Sequence, residues 1–150
     1  MKKLIIKIPV LILISLVWFS CSDDDDGEGN TEQPNANQIT QFAQDGTWRV
    51  ASFIDSGEDE TSDFAGYTFV FGIDGTLVAE DGVNAVTGTW SVTNSSSGTD
   101  FTIFFPVSDE SDFEDLNDDW DVIEASATEI SLEDVSGGNG GTDTLIFRKN

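Results

Sequence analysis

The sequence predicts an all-β domain: an eight-stranded antiparallel up-and-down barrel, with a two-sheet β-sandwich as the alternative. Three observations predict it. From Trp48 onward, apolar and polar residues alternate in short runs, the two-residue period of half-buried strands. Each run is bounded by Gly, Asn, Asp or Ser, the residues that turns require. Gly46-Thr47-Trp48-Arg49-Val50 opens the series and Leu145-Ile146-Phe147-Arg148 closes it. Pairing the first strand with the last removes the exposed edges that an open sheet would leave.

Residues 1–20 stand apart from that domain. Met1-Lys2-Lys3 is basic, and residues 4–19 are apolar except at Lys7, Pro9 and Ser15. Ser20-Cys21-Ser22 then leads into four aspartates at 23–26. This reads as a secretory signal peptide ending at a lipidated Cys21. The competing reading is a transmembrane anchor, for which the run is short against the roughly 20 residues of a span. The stretch resembles the export signal of bacterial lipoproteins, where a cysteine behind a small residue, here Ser20, is acylated as the signal is cut. The acid run behind Cys21 resembles that of surface-exposed lipoproteins of the Bacteroidetes group. The resemblance implies a cell-envelope protein, anchored in the outer membrane and displayed on its outer face.

Residues 21–38 read as an acidic flexible linker, without a large apolar residue to offset the entropy of ordering. Its flexible part has a reach of about 20–25 Å. The folded domain is expected over 39–150. Ile39 and Phe42, three apart, share a helical face, so 38–44 is expected to form a short turn that plugs one end. The strands follow. Trp48 and Val50 face one side, Arg49 and Ala51 the other. Tyr67, Phe69 and Phe71 alternate with Thr68 and Val70, and Asp74-Gly75 turns that run into Thr76-Leu77-Val78-Ala79. Val86, Gly88, Trp90 and Val92 alternate with threonines and a serine. Phe101, Ile103 and Phe105 precede Pro106, and Phe113 and Leu116 mark one helical turn. Trp120 and Val122, then Ile130 and Leu132, then Leu145 and Phe147 supply the last three strands.

Composition narrows the function. The chain has 29 acids, six cations and no histidine. Loss of Lys2, Lys3 and Lys7 with the signal would leave Arg49, Arg148 and Lys149, a formal side-chain charge of 3 − 29 = −26. Such a surface repels nucleic acid and anionic lipid. Catalysis is not expected: Ser95, Ser96 and Ser97 lie in a loop with no base near them in sequence. Asp115, Asn117, Asp119 and Asp121 alternate as in a calcium loop, but Trp120 stands where the loop glycine belongs. No metal or other cofactor is expected. Cys21 is the only cysteine, so an intrachain disulfide is excluded.

The aromatic residues are the informative set. Tyr67, Phe69, Phe71, Trp90, Phe101, Phe105 and Trp120 share the inward face of their strands by alternation. They either line a calyx for one small apolar or aromatic ligand or fill the barrel. The first reading makes a ligand-binding module, the second an accessory surface subunit that presents acidic loops to another protein.

Over residues 40–150 the chain resembles lipocalins, and more closely the small lipocalin-like domains of bacterial lipoproteins. The residues that carry this are Gly46-Thr47-Trp48, Phe69-x-Phe71-x-x-Asp74-Gly75-Thr76, Gly88-Thr89-Trp90 and Arg148. The resemblance implies a closed barrel in which the Arg148 guanidinium lies across the Trp48 indole. It also implies that the helical plug closes the Trp48 end and that a ligand enters from the other, rimmed by the acidic connection at 55–64.

Overall fold

A computed structural model describes residues 33–135 and 141–150. The expected signal peptide (1–20), the expected lipidation site Cys21 and most of the expected linker lie outside the described residues. The chain is all-β with one α-helix. Helix α1 spans Ala36–Gln44, and strands β1 (Trp48–Asp55), β2 (Glu58–Asp59), β3 (Thr68–Phe71) and β4 (Thr76–Glu80) follow. Then come β5 (Ala85–Asn94), β6 (Thr99–Phe104), β7 (Asp118–Ala125), β8 (Glu129–Val135) and β9 (Thr142–Lys149).

Every strand pairing is antiparallel between neighbours in the order β1-β3-β4-β5-β6-β7-β8-β9, and β1 pairs β9 to close the ring. This is an eight-stranded up-and-down barrel. Strand β2 is a two-residue flap hydrogen-bonded to the end of β1, Ile54 to Asp59 and Asp55 to Glu58 in register. The expected sandwich alternative falls away, because Trp48↔Lys149, Arg49↔Arg148 and Val50↔Phe147 pair directly.

Alternation carries the core inward: Phe69 and Phe71, Leu77 and Ala79, Phe101 and Ile103, Ile130 and Leu132, Leu145 and Phe147 are all buried. Two bulges reset it. The register slips between Val50 and Ser52 on β1, so the third buried residue after Trp48 and Val50 is Phe53. It slips again between Val122 and Glu124 on β7, which turns Ala125 inward behind Trp120 and Val122. A bulge adds one unpaired residue and so exchanges the two faces beyond it. Gly88 holds the inward slot where β5 meets β6. A Cβ there would sit 2.3 Å from the Phe104 carbonyl oxygen and 2.7 Å from the Phe105 ring, so no larger residue fits.

The domain boundary moves. Residues 33–38, expected as linker, belong to the fold. Asn35 caps α1 in a capping box with Gln38: the Gln38 N–H donates to Asn35 Oδ1 and the Asn35 N–H to Gln38 Oε1. Gln33 donates to the Val122 carbonyl, and the Ala36 N–H to Asn94 Oδ1. A polar stretch reads as linker by composition, yet Asn-x-x-Gln satisfies the orphan donors of a helix start.

Candidate functional site

The two ends of the barrel decide what its interior can admit. At one end lie the starts of β1 and β4 and the ends of β3, β5 and β9. Helix α1 covers it with Ile39 and Ala43, both buried. The Trp48 indole, wholly enclosed, donates to the Ala43 carbonyl at 2.9 Å, and the Trp90 indole donates to the Gly72 carbonyl at 3.0 Å. Each indole thus fills space and satisfies its single donor.

The far end was expected to be open, with the 55–64 connection as its rim. It is stoppered. A 3₁₀ turn at Thr61–Phe64 carries Phe64 inward, and the turns at 112–116 carry Phe113 and Leu116 inward. The residues expected inward in the second segment are inward, although the segment is a run of turns and not a helix. Phe113 meets Phe64 at 5.5 Å, Tyr67 at 5.0 Å and Phe105 at 5.0 Å between ring centroids, each edge to face. The Trp120 indole donates to the Leu116 carbonyl at 3.1 Å and ties this stopper to β7.

Between the stoppers the expected aromatic set is brought together. Phe71 sits edge to face against Trp90, Phe101 and Phe147 at 5.2–5.5 Å. Trp90 stacks on Phe101 at 5.6 Å. Phe69, Phe101, Phe105 and Trp120 are buried, and Tyr67 is half-buried at the far end. Such pairs contribute about 0.5–1.5 kcal/mol each beyond the area they bury. Among the described residues no polar or charged side chain is buried. A ligand site orients its guest with a few convergent polar groups, and the side chains buried here are aromatic and aliphatic.

Trp48 and Arg148 stand on paired strands but face opposite ways. The indole is inside, whereas Arg148 is exposed on the outer wall, its Nε 2.6 Å from Glu129 Oε2. Glu129 is its register partner on β8, so the pair forms across the outer face. The expected stacking of guanidinium on indole is therefore replaced by an exposed ion pair, and the barrel closes through backbone pairing of β1 with β9. Lys149 Nζ makes a second pair, 2.6 Å from Asp45 Oδ2, tying β9 to the residue after α1.

The outer surface is open in places. A groove of about 760 Å³ is lined by Gln33–Asn35, Asn94, the start of β6 and Asp121–Ile123. Another of about 570 Å³ lies along β1 between Arg49–Ala51 and the segment from Asp59 to Gly66. Acids gather at the far end. Burial raises the pKa of Glu60, and the carboxylates of Asp115, Asp55, Asp63 and Glu58 add to it. Asp115 is raised by burial and by Asp55, Asp112 and Asp63. Asn117 and Asp119 of the calcium-like spacing are engaged elsewhere: Asn117 hydrogen-bonds both backbone groups of Phe105, and Thr102 donates to Asp119. Among the described residues no cluster of three His, Cys, Asp or Glu is placed to hold a metal.

What the geometry defines is a closed, stoppered antiparallel barrel with an aromatic core and an acidic exterior. No protein-family model matches the sequence, and no curated protein matches it. Among solved structures it is similar to a DUF4847 family protein from Bacteroides vulgatus ATCC 8482. The TM-score is 0.46 at 18% sequence identity, over 73% of this chain and 94% of that chain.

Proposed function

We propose that the protein is a lipid-anchored cell-envelope interaction module that works through its outer surface, with Cys21 as the anchor. The observation that carries this reading is the packed interior: among the described residues, aromatic and aliphatic side chains run from one stopper to the other and no polar side chain is buried to orient a guest. The competing reading, a calyx for a small apolar ligand, would require both Phe113 and Phe64 to leave the far end. The charge distribution also favours an accessory surface subunit. Arg49, Arg148 and Lys149 lie at the α1 end, near where the chain enters the barrel at Gln33. Acids gather at the far end, Asp55, Glu58, Glu60, Asp63 and Asp115 among them, and their charge suits it to a basic partner.

Native mass spectrometry of the protein extracted gently from its own membranes tests the reading. The expected species is the lipidated chain, alone or bound to protein. A stoichiometric small molecule retained by the chain would restore the calyx. Cys21→Ala is expected to abolish incorporation of a fatty-acid analogue. Label at the wild-type level would end the anchor assignment.

A further inference from the structure

The barrel wall parts between β1 and β3. Strand β1 pairs β9 at six positions but meets β3 at one, Trp48↔Phe69. The connection before β3 turns inward to seat Phe64 in the far-end stopper, and so leaves the wall. Farther along β1, the Phe53 N–H donates to Thr61 Oγ1 and the Phe53 carbonyl accepts from the Glu60 N–H. Between these two closures the β3-facing edge of β1, Arg49 to Ser52, has no strand beside it. Four residues of edge run roughly 13 Å. The groove of about 570 Å³ lies along this edge. Its volume is within the range of about 300–1,000 Å³ that small-ligand sites occupy.

The groove carries opposite charges at its two ends. Arg49 lines it toward the α1 end and Asp59, beside Ile54 in register, toward the far end. Asp59 is fixed in place by the Thr61 N–H, which donates to its Oδ1 at 3.1 Å. Arg49 has no ion pair among the described residues, where Arg148 and Lys149 each have one. Its register partner on β9 is Arg148, which is bound instead to Glu129 on β8. Two of the three described cations therefore stand directly opposite each other in a chain of 29 acids. Like charges so placed destabilise a sheet, and breaks of such local rules concentrate at functional sites.

We propose that this groove binds the C-terminal end of an extended peptide, which adds to β1 as an antiparallel strand with its terminal carboxylate on Arg49. The open edge supplies backbone donors and acceptors to such a strand. The guanidinium fork matches a carboxylate with two parallel hydrogen bonds. Asp59 sets the direction, because it repels the carboxylate and attracts an amino group at the other end. A phosphate would use Arg49 and leave the edge of β1 unpaired, whereas a peptide uses both. The site lies on the wall, apart from the acidic end, and depends neither on the anchor nor on a partner for that end.

Isothermal titration of the full chain in detergent with the tetrapeptide Thr-Val-Thr-Val tests it. The free acid is expected to bind, and its C-terminal amide to bind about tenfold more weakly or worse, the loss of a charge-assisted pair. Arg49→Gln, at an exposed position, should weaken the free acid by the same factor and leave the amide unchanged, while Arg49→Lys recovers only part. Methylating alternate amide nitrogens of the peptide should abolish binding without touching the protein, because it removes the donors that pair with β1. No binding of the free acid, equal binding of acid and amide, equal binding by Arg49→Gln, or displacement by inorganic phosphate at equal concentration would each overturn the proposal.

Discussion

The two ends of the barrel are closed by different means. At the α1 end the closure is regular structure. A capping box starts the helix, an indole donates to the Ala43 carbonyl behind its buried face, and the Lys149–Asp45 pair ties β9 to the residue that follows it. At the far end the closure is a knot of rings on turns, Phe64 and Phe113 meeting Tyr67 and Phe105, with acids around it. A helix with its cap is partly specified locally. Turns at 61–64 and 112–116 have no helical period and only short local bonds, such as the Thr61 N–H to Asp59 Oδ1 and the Glu114 N–H to the Ser111 carbonyl, and lean more on tertiary contacts. The far end should therefore open first, because like charges there oppose closure.

Removing the indole that anchors the α1 end is the strongest blow to this comparison. Trp48→Ala is expected to cost about 4 kcal/mol, from lost burial, a cavity and an abandoned hydrogen bond. Urea unfolding should show the loss in a single transition, since Trp48 touches helix and barrel together. A separate early transition for α1 would mean that the end is not integral.

Phe113→Ala strikes the far end. About 2–3 kcal/mol is expected, somewhat under the usual cost of a core phenylalanine because the turn around it can collapse. Hydrogen exchange should speed in residues 61–67 and 109–117 while α1 keeps its protection. Equal loss of protection at both ends would erase the difference between them.

Arg148→Ala is a small effect by this account, at most about 0.5 kcal/mol, because the guanidinium makes one exposed ion pair. A stacked guanidinium would cost about 1–2 kcal/mol and would not be replaced by lysine. Here Arg148→Lys should match the wild type in thermal unfolding, and a clear deficit would bring the stacking back.

Acid separates the ends by sign. Glu60 and Asp115 at the far end have raised pKa values, by burial first and neighbouring acids second. Their folded forms hold the proton more tightly than the unfolded chain, so lowering the pH through the raised values adds stability, and raising it removes that gain. Asp74 at the α1 end is lowered, chiefly by the Thr76 N–H, which donates to it at 3.0 Å. Its contribution is present above the ordinary carboxylate range and is lost as pH falls through its lowered value. Hydrogen exchange down a pH series, corrected for intrinsic rates, should show segment 61–67 firming as the 72–76 turn loosens. Both moving together would mean that net charge alone governs the response.

Much of this was legible in the chain. Alternation marks all eight barrel strands and their inward faces, because a strand with one wet side must alternate. Asp74-Gly75 marks its turn, as Gly75 takes a φ of +82° that a side chain disfavours. The aromatic set is on the inward face as its parity requires. Arg148 is also on the side that its parity requires, outward, and the lipocalin resemblance led away from that plain reading.

The rest depends on distant parts of the chain meeting. The bulges at Val50–Ser52 and Val122–Glu124 leave no mark in the residue pattern, since an added residue shows only against its partner strand. Phe113 is an apolar residue in a polar stretch until Phe64, Tyr67 and Phe105 converge on it from three other segments. Whether inward rings enclose a cavity or fill it depends on how their edges and faces meet, a property of three-dimensional packing that alternation does not encode.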